Sequence, residues 1–164
     1  MKQWILITLI FIFCGISACC QNLVFKPAFS VILDSAQGKK LFDQCSRSVP
    51  SVKDFWTPRE QDIAILENNF KTVYALLSND CCIGGARVDS LEHYGFQYIG
   101  VNINNRKFIY INAFPLEELD LFKRHNQDPE KIPIVVCDGG TSFWGVLFEI
   151  KTIEFSHLAF NGIA

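Results

Sequence analysis

The sequence lacks most of the signatures that carry known chemistry. It has no Cys-x-x-Cys pair. Its three histidines, His93, His125 and His157, stand far apart and none sits in a ligand pair. Neither a zinc knuckle nor a thioredoxin-type site is indicated, and no metal centre is expected. There is no Walker loop, no dinucleotide glycine fingerprint and no Gly-x-Ser-x-Gly, so no motif of nucleotide binding or serine hydrolysis is present. Nothing calls for a cofactor. There is no basic run, and the formal net charge is −2, which argues against a nucleic-acid partner. Internal repeats and low-complexity segments are also missing.

What is there begins at the N-terminus. Met1, Lys2 and Gln3 precede the apolar run WILITLIFIF, residues 4–13. A short basic start and about ten apolar residues fit a signal-peptide core. That run is short for a membrane span, which needs ~20 apolar residues. An uncleaved helix over residues 4–20 is the alternative, since no charge lies between Lys2 and Lys26. Gly15, Ser17 and the paired cysteines make it a poor span. Ile16-Ser17-Ala18-Cys19 resembles a bacterial lipobox: an aliphatic residue, two small ones, then Cys. The resemblance implies a bacterial lipoprotein of the small, uncharacterised type. It implies cleavage after residue 18, lipidation of Cys19, and a membrane partner through that anchor. Cys20 rather than Asp follows Cys19, which resembles outer-membrane sorting and places the domain facing the periplasm. The expected organisation is a signal peptide 1–18, a lipid-anchored tether 19–34, and one domain 35–164.

The mature chain is long enough for one domain with a real core. Without Lys2 it holds 14 basic and 17 acidic side chains, a net charge of −3. Fifteen phenylalanines point to an aromatic core. Cys20, Cys45, Cys81, Cys82 and Cys137 remain once Cys14 is removed and Cys19 is lipidated. In an oxidising periplasm such thiols pair. Five is odd, so one is left over, and Cys20 beside the anchor is the natural spare. Cys45, Cys81, Cys82 and Cys137 are the disulfide candidates. A bond between the vicinal Cys81 and Cys82 strains the peptide joining them. Cys45–Cys137 is the preferred bridge, and sequence alone leaves the connectivity open.

Ser35 is placed to cap a short helix over 36–45, and 46–56 reads as loop. Thr57-Pro58-Arg59-Glu60 is a capping box with Pro at the first helical position. Ile63, Leu66, Phe70, Val73 and Leu77 then recur at helical spacing, predicting one long amphipathic helix over about 57–78. Residues 94–103 and 107–114 read as a hairpin. A three-residue loop, Asn104-Asn105-Arg106, would set Ile99, Val101, Ile109, Ile111 and Ala113 on one face and Tyr98, Phe108 and Tyr110 on the other. A short helix over 116–125 and strands over 134–137, 143–150 and 153–160 complete the reading. The expected fold is α+β: one long N-terminal helix packed on a curved antiparallel sheet of about five strands. Its element order resembles cystatin-like and nuclear-transport-factor-like folds, and element order carries no function.

Two stretches invite a functional reading. In IVVCDGGTSFWG, residues 134–145, Asp138-Gly139-Gly140 is a turn signal. The same residues could supply a Cys137 nucleophile with His157 or His93 as base, or an anion nest of backbone amides from Gly139 to Thr141. Tyr98, Phe108, Tyr110 and Trp144 could line an open aromatic sheet face. The N-terminal segment and the 116–132 insertion, with Phe25, Phe29, Phe42, Leu119 and Phe122, could equally cover it. The leading expectation is a non-enzymatic, envelope-anchored binding domain for a periplasmic protein, as an inhibitor or immunity-like factor, or for a small ligand. An envelope hydrolase or transferase using Cys137 or Asp138 with a His is the second reading. A structural subunit of an envelope complex is the third.

Overall fold

The computed structural model describes residues 24–163. The predicted signal peptide, Cys19 and Cys20 lie outside the described residues. At the centre is a hairpin of two strands, β3 (Tyr94–Ile103) and β4 (Arg106–Pro115). Ile103 pairs with Arg106, so Asn104 and Asn105 alone form the turn. Both take positive φ, 49° and 62°. That is the two-residue geometry whose twist matches the flanking strands, and Asn tolerates it. The expected three-residue loop is therefore corrected by one residue. The shift puts Tyr98 with Ile109 and Ile111 on one face, and Ile99 with Phe108 and Tyr110 on the other. A mixed pattern costs nothing here, because both faces of this sheet are covered.

β4 pairs with β5 (Trp144–Glu149), and β5 with β6 (Glu154–Phe160), all antiparallel. The opposite edge of β3 is shared. β1 (Ser30–Ile32) runs parallel to Phe96–Tyr98, and β2 (Asp54–Trp56) runs antiparallel to Gly100–Asn102. The result is a mixed sheet of six strands rather than an antiparallel sheet of five. β1 and β2 are three residues each, too short to show an alternation in sequence. Residues 24–34 of the expected tether supply β1 and the buried Phe25 and Leu33.

Among the described residues there is no long helix. α1 (Gly38–Leu41), α2 (Glu60–Asn69) and α3 (Leu119–Arg124) are all short. The predicted 57–78 helix is α2 followed by a 3-10 turn over Phe70–Ala75. Phe70, Thr72, Val73 and Tyr74 are β-branched or aromatic and hold a helix weakly. In the tighter turn residues i and i+3 eclipse, which lines up Phe70 and Val73, both fully buried. Leu77 leaves the stripe and is exposed. The start also moves. Thr57 Oγ1 accepts the Ser35 amide at 3.1 Å instead of capping the helix. Asp62 reaches back to the Arg59 amide at 3.0 Å, doing the work expected of Glu60.

α2 and its 3-10 extension cover one sheet face. Ile63, Leu66, Phe70 and Val73 pack on Phe96, Tyr98, Ile111, Trp144 and Phe148. Leu33, Leu41, Phe42 and Phe55 cover the other face over Ile99, Val101 and Tyr110. A Cβ on Gly145 would meet the Tyr110 hydroxyl, so only glycine leaves that ring its place.

Residues 134–137, expected as a strand, join no ladder. Three side-chain amides take the place of a partner strand. Gln97 donates to the carbonyls of Pro129 and Ile132 at 2.8 and 2.7 Å and accepts the Ile134 amide at 2.9 Å. Asn112 donates to the Ile134 carbonyl at 2.9 Å and to Gln97 Oε1 at 3.1 Å. Asn161 donates to the Val136 and Asp138 carbonyls at 2.6 and 2.9 Å. The acceptor oxygens of Asn112 and Asn161 are in turn taken by Arg47. This guanidinium is buried, and among the described residues it pairs with no carboxylate. Its two amino groups are partnered in this way, as buried polar groups generally are, while its Nε has no partner.

Candidate functional site

Cys45 and Cys137 are joined by a disulfide that closes 92 residues, with a Cα–Cα distance of 5.0 Å. Cys137 therefore has no thiol to act as a nucleophile. Gly139 and Gly140 take positive φ, 89° and 55°, and start a 3-10 turn over Gly140–Ser142. The Gly140 amide donates to the Gly162 carbonyl at 3.0 Å and the Ser142 amide to the Gly139 carbonyl at 3.1 Å. The central amide of the expected nest, that of Gly140, is thus taken by the C-terminal strand end and is not free for an anion. Asp138 is exposed, and its carbonyl serves Asn161. The stretch 134–145 is a stapled turn.

The four aromatic candidates are not brought together. Tyr98 and Trp144 lie on the α2 face, Phe108 and Tyr110 on the opposite one, and all four are buried. Of the expected covering residues, Phe25 packs in the α2-side core and Phe42 on the other face. Phe29, Leu119 and Phe122 build a third cluster with Phe114, Ile134 and Phe143.

His157 sits instead in a bulge of β6. The register shifts between Gly145 and Leu147 of β5, and His157 itself takes φ 55°. Bulges commonly re-aim a side chain at a sheet edge. The exposed ring, whose Nδ1 lies 3.1 Å from Ser156 Oγ, borders a cleft of about 570 Å³. Across it stand Ser48, Leu77, Asp80 and Cys81.

The far wall is the loop 78–86. It is braced by Ser78, whose amide donates to the Ala86 carbonyl at 2.9 Å and whose carbonyl accepts the Gly85 amide at 2.8 Å. Gly85 takes φ 78° to permit this. Cys81 and Cys82 are exposed, unpaired among the described cysteines, and 2.7 Å apart at sulfur. Ser48 Oγ lies 3.6 Å from Cys81 Sγ. Asp80 accepts the Ser48 amide at 2.9 Å and the Cys81 amide at 2.8 Å. Burial acts to raise the Asp80 carboxyl, but these hydrogen bonds outweigh it and hold the group below its usual range. The hydrogen bond that the Cys82 thiol donates to Cys81, helped by burial and the nearby negative charges, pushes that thiol up to about 11.

A larger cleft, about 790 Å³, lies by Trp56, Arg59, Asp62, Arg106, Lys107 and Glu149. Its charges mostly satisfy one another. Arg59 pairs with Asp62 at 3.3 Å, Arg106 Nε with Glu149 at 2.6 Å, and Lys107 lies over the Trp56 ring. In the cysteine cleft, by contrast, the two thiols have no ion-pair or disulfide partner among the described residues. Sequence reading missed Asp80 and Ser48 because it sought separated ligand pairs. The signal present was Asp80 immediately before two adjacent cysteines.

Fold and site together define a small disulfide-bonded α+β domain with a vicinal dithiol at a sheet edge. Comparison with family models, with curated proteins and with solved structures gives no match. Among the described residues no helix is long and apolar enough to cross a membrane.

Proposed function

We propose that this chain is a lipid-anchored binding domain of the cell envelope, held at the membrane through Cys19 and facing the periplasm. The carrying observation is the Cys45–Cys137 disulfide. Such bonds persist in oxidising compartments, and the lipobox-like Ile16-Ser17-Ala18-Cys19 names the same destination. The reading is binding rather than catalysis because the thiol best placed in sequence to be a nucleophile is consumed by that bond. With both sheet faces packed, recognition falls to the rim, and the β6 cleft is where convergent polar groups meet apolar walls.

The test is lipid labelling in a bacterial host fed a radiolabelled fatty acid. The full chain is expected to take up label and to fractionate with membranes. Cys19→Ser is expected to lose the label and shift to the soluble envelope fraction. Equal behaviour of the two chains would refute the anchor.

A further inference from the structure

We infer that Asp80, Cys81 and Cys82 form a binding site for a soft, thiophilic metal ion at the mouth of the β6 cleft. The inference rests on the reading of that cleft as the binding site and names its ligand. One carboxylate oxygen and the two sulfurs lie within 4.8 Å of one another, so one ion can touch all three. Both thiols are exposed and unpaired among the described cysteines while Cys45 and Cys137 are bonded, and the strain of a vicinal disulfide opposes their joining each other.

The carboxylate is also oriented, and the two sulfurs, 2.7 Å apart, move apart to take a tetrahedral angle at a shared ion. Each Asp80 oxygen is fixed by one backbone amide, from Ser48 or from Cys81, which leaves each a lone pair for a cation. A side chain at Gly162 would come within 3.7 Å of Cys82 Cβ, so the C-terminal strand end backs the loop. Ordered support of this kind makes metal ligands effective.

Two thiolates and one carboxylate select by softness. Such a set suits zinc, cadmium or copper(I) and is poor for magnesium or calcium, which take oxygen. On binding, each thiol leaves its proton to water and each sulfur gives a lone pair to the ion. Structural zinc sites are closed by four protein ligands. This chain offers three from one exposed loop, and His157 borders the same cleft. An incomplete, accessible shell is suited to taking up an ion and handing it on, since the remaining position is open to an exchanging ligand.

The test uses the full chain, isolated from whichever envelope fraction holds it, in mild detergent without reductant and under anaerobic conditions. It is titrated with cadmium, then with zinc as competitor. A thiolate-to-metal absorption band saturating at one ion per chain is expected, with the same stoichiometry by native mass spectrometry. Cys81→Ser/Cys82→Ser should abolish the band while keeping the wild-type unfolding midpoint, because both side chains are exposed. Asp80→Asn should weaken binding roughly tenfold or more. Absence of the band, or a band that survives in the double variant, overturns the inference. So does an alkylation mass showing Cys81 and Cys82 joined to each other in the isolated chain. None of these outcomes touches the lipid-labelling test, so failure of the metal site and failure of the anchor are told apart.

Discussion

Asn112→Ala is the sharpest probe of how this fold holds segment 129–138. The Asn112 side chain makes three hydrogen bonds: to the Ile134 carbonyl, to Gln97 Oε1, and from Arg47. Gln97 Oε1 keeps the Ile134 amide after truncation. The Ile134 carbonyl and one Arg47 amino group lose their partner. A buried neutral group left unsatisfied costs about 1–3 kcal/mol, and a charged one more. The sum is roughly 3–5 kcal/mol, a large share of the stability of a domain this size. Urea unfolding monitored by tryptophan fluorescence should show that loss with an unchanged denaturant slope. A double-mutant cycle with Arg47→Met isolates the cause. Removing the guanidinium as well leaves no charge to strand, so the double variant should be more stable than the sum of the singles by about 1–3 kcal/mol. A single-mutant cost under about 1 kcal/mol, or simple additivity, would refute the picture of a charge held only by amides.

Other perturbations follow from the same packing. Cys45→Ser/Cys137→Ser opens a loop of 92 residues, for which chain entropy sets a loss of about 4.6 kcal/mol; guanidinium unfolding of oxidised wild type against the variant measures it. Gly145→Ala drives a methyl into the Tyr110 hydroxyl and should cost about 1–3 kcal/mol. Tyr110→Phe, which removes a buried hydroxyl that has no partner, should recover part of that cost in the double variant. Burial raises the Glu67 carboxyl above its ordinary value despite the hydrogen bond from Tyr98. A raised carboxyl favours the fold at low pH and loses that contribution as pH rises through it. Glu67→Gln should therefore raise the urea midpoint at neutral pH and lose its advantage below the carboxylate range; a constant difference across pH would contradict this.

Local chemistry was legible in the sequence, and pairing over distance was not. The β3–β4 and β5–β6 strands announced themselves by apolar runs and turn residues, and the α2 stripe by its spacing. Thiol arithmetic narrowed the disulfide to four cysteines, and the structure supplied the choice of Cys45–Cys137. The 134–137 run looked like a strand because four apolar residues say nothing of what takes their backbone hydrogen bonds. Gln97 and Asn112, each an amide inside an apolar strand, were the signs that something polar crossed that face. β1 and β2 escaped because each is defined by its place on β3 and by no pattern of its own. The aromatic candidates looked like one surface only while the hairpin loop was counted as three residues; with two, Tyr98 and Tyr110 part company.

The Asn104-Asn105 turn also bears on the order in which the chain assembles. A hairpin closed by two residues forms on a scale of ~1–10 μs. The pairings of β1 and β2 with β3, and the contact of Cys45 with Cys137, span far more chain and pay more loop entropy before they are rewarded. β3 and β4 can thus stand as a template while Cys45, Cys81, Cys82 and Cys137 are all still reduced. The strand register set by two asparagines places Asn112 opposite Gln97, and those amides dock the segment carrying Cys137. Fidelity of oxidation is then decided by a turn that contains no sulfur. An insertion of one residue at Asn105 would show itself first as scrambled disulfides.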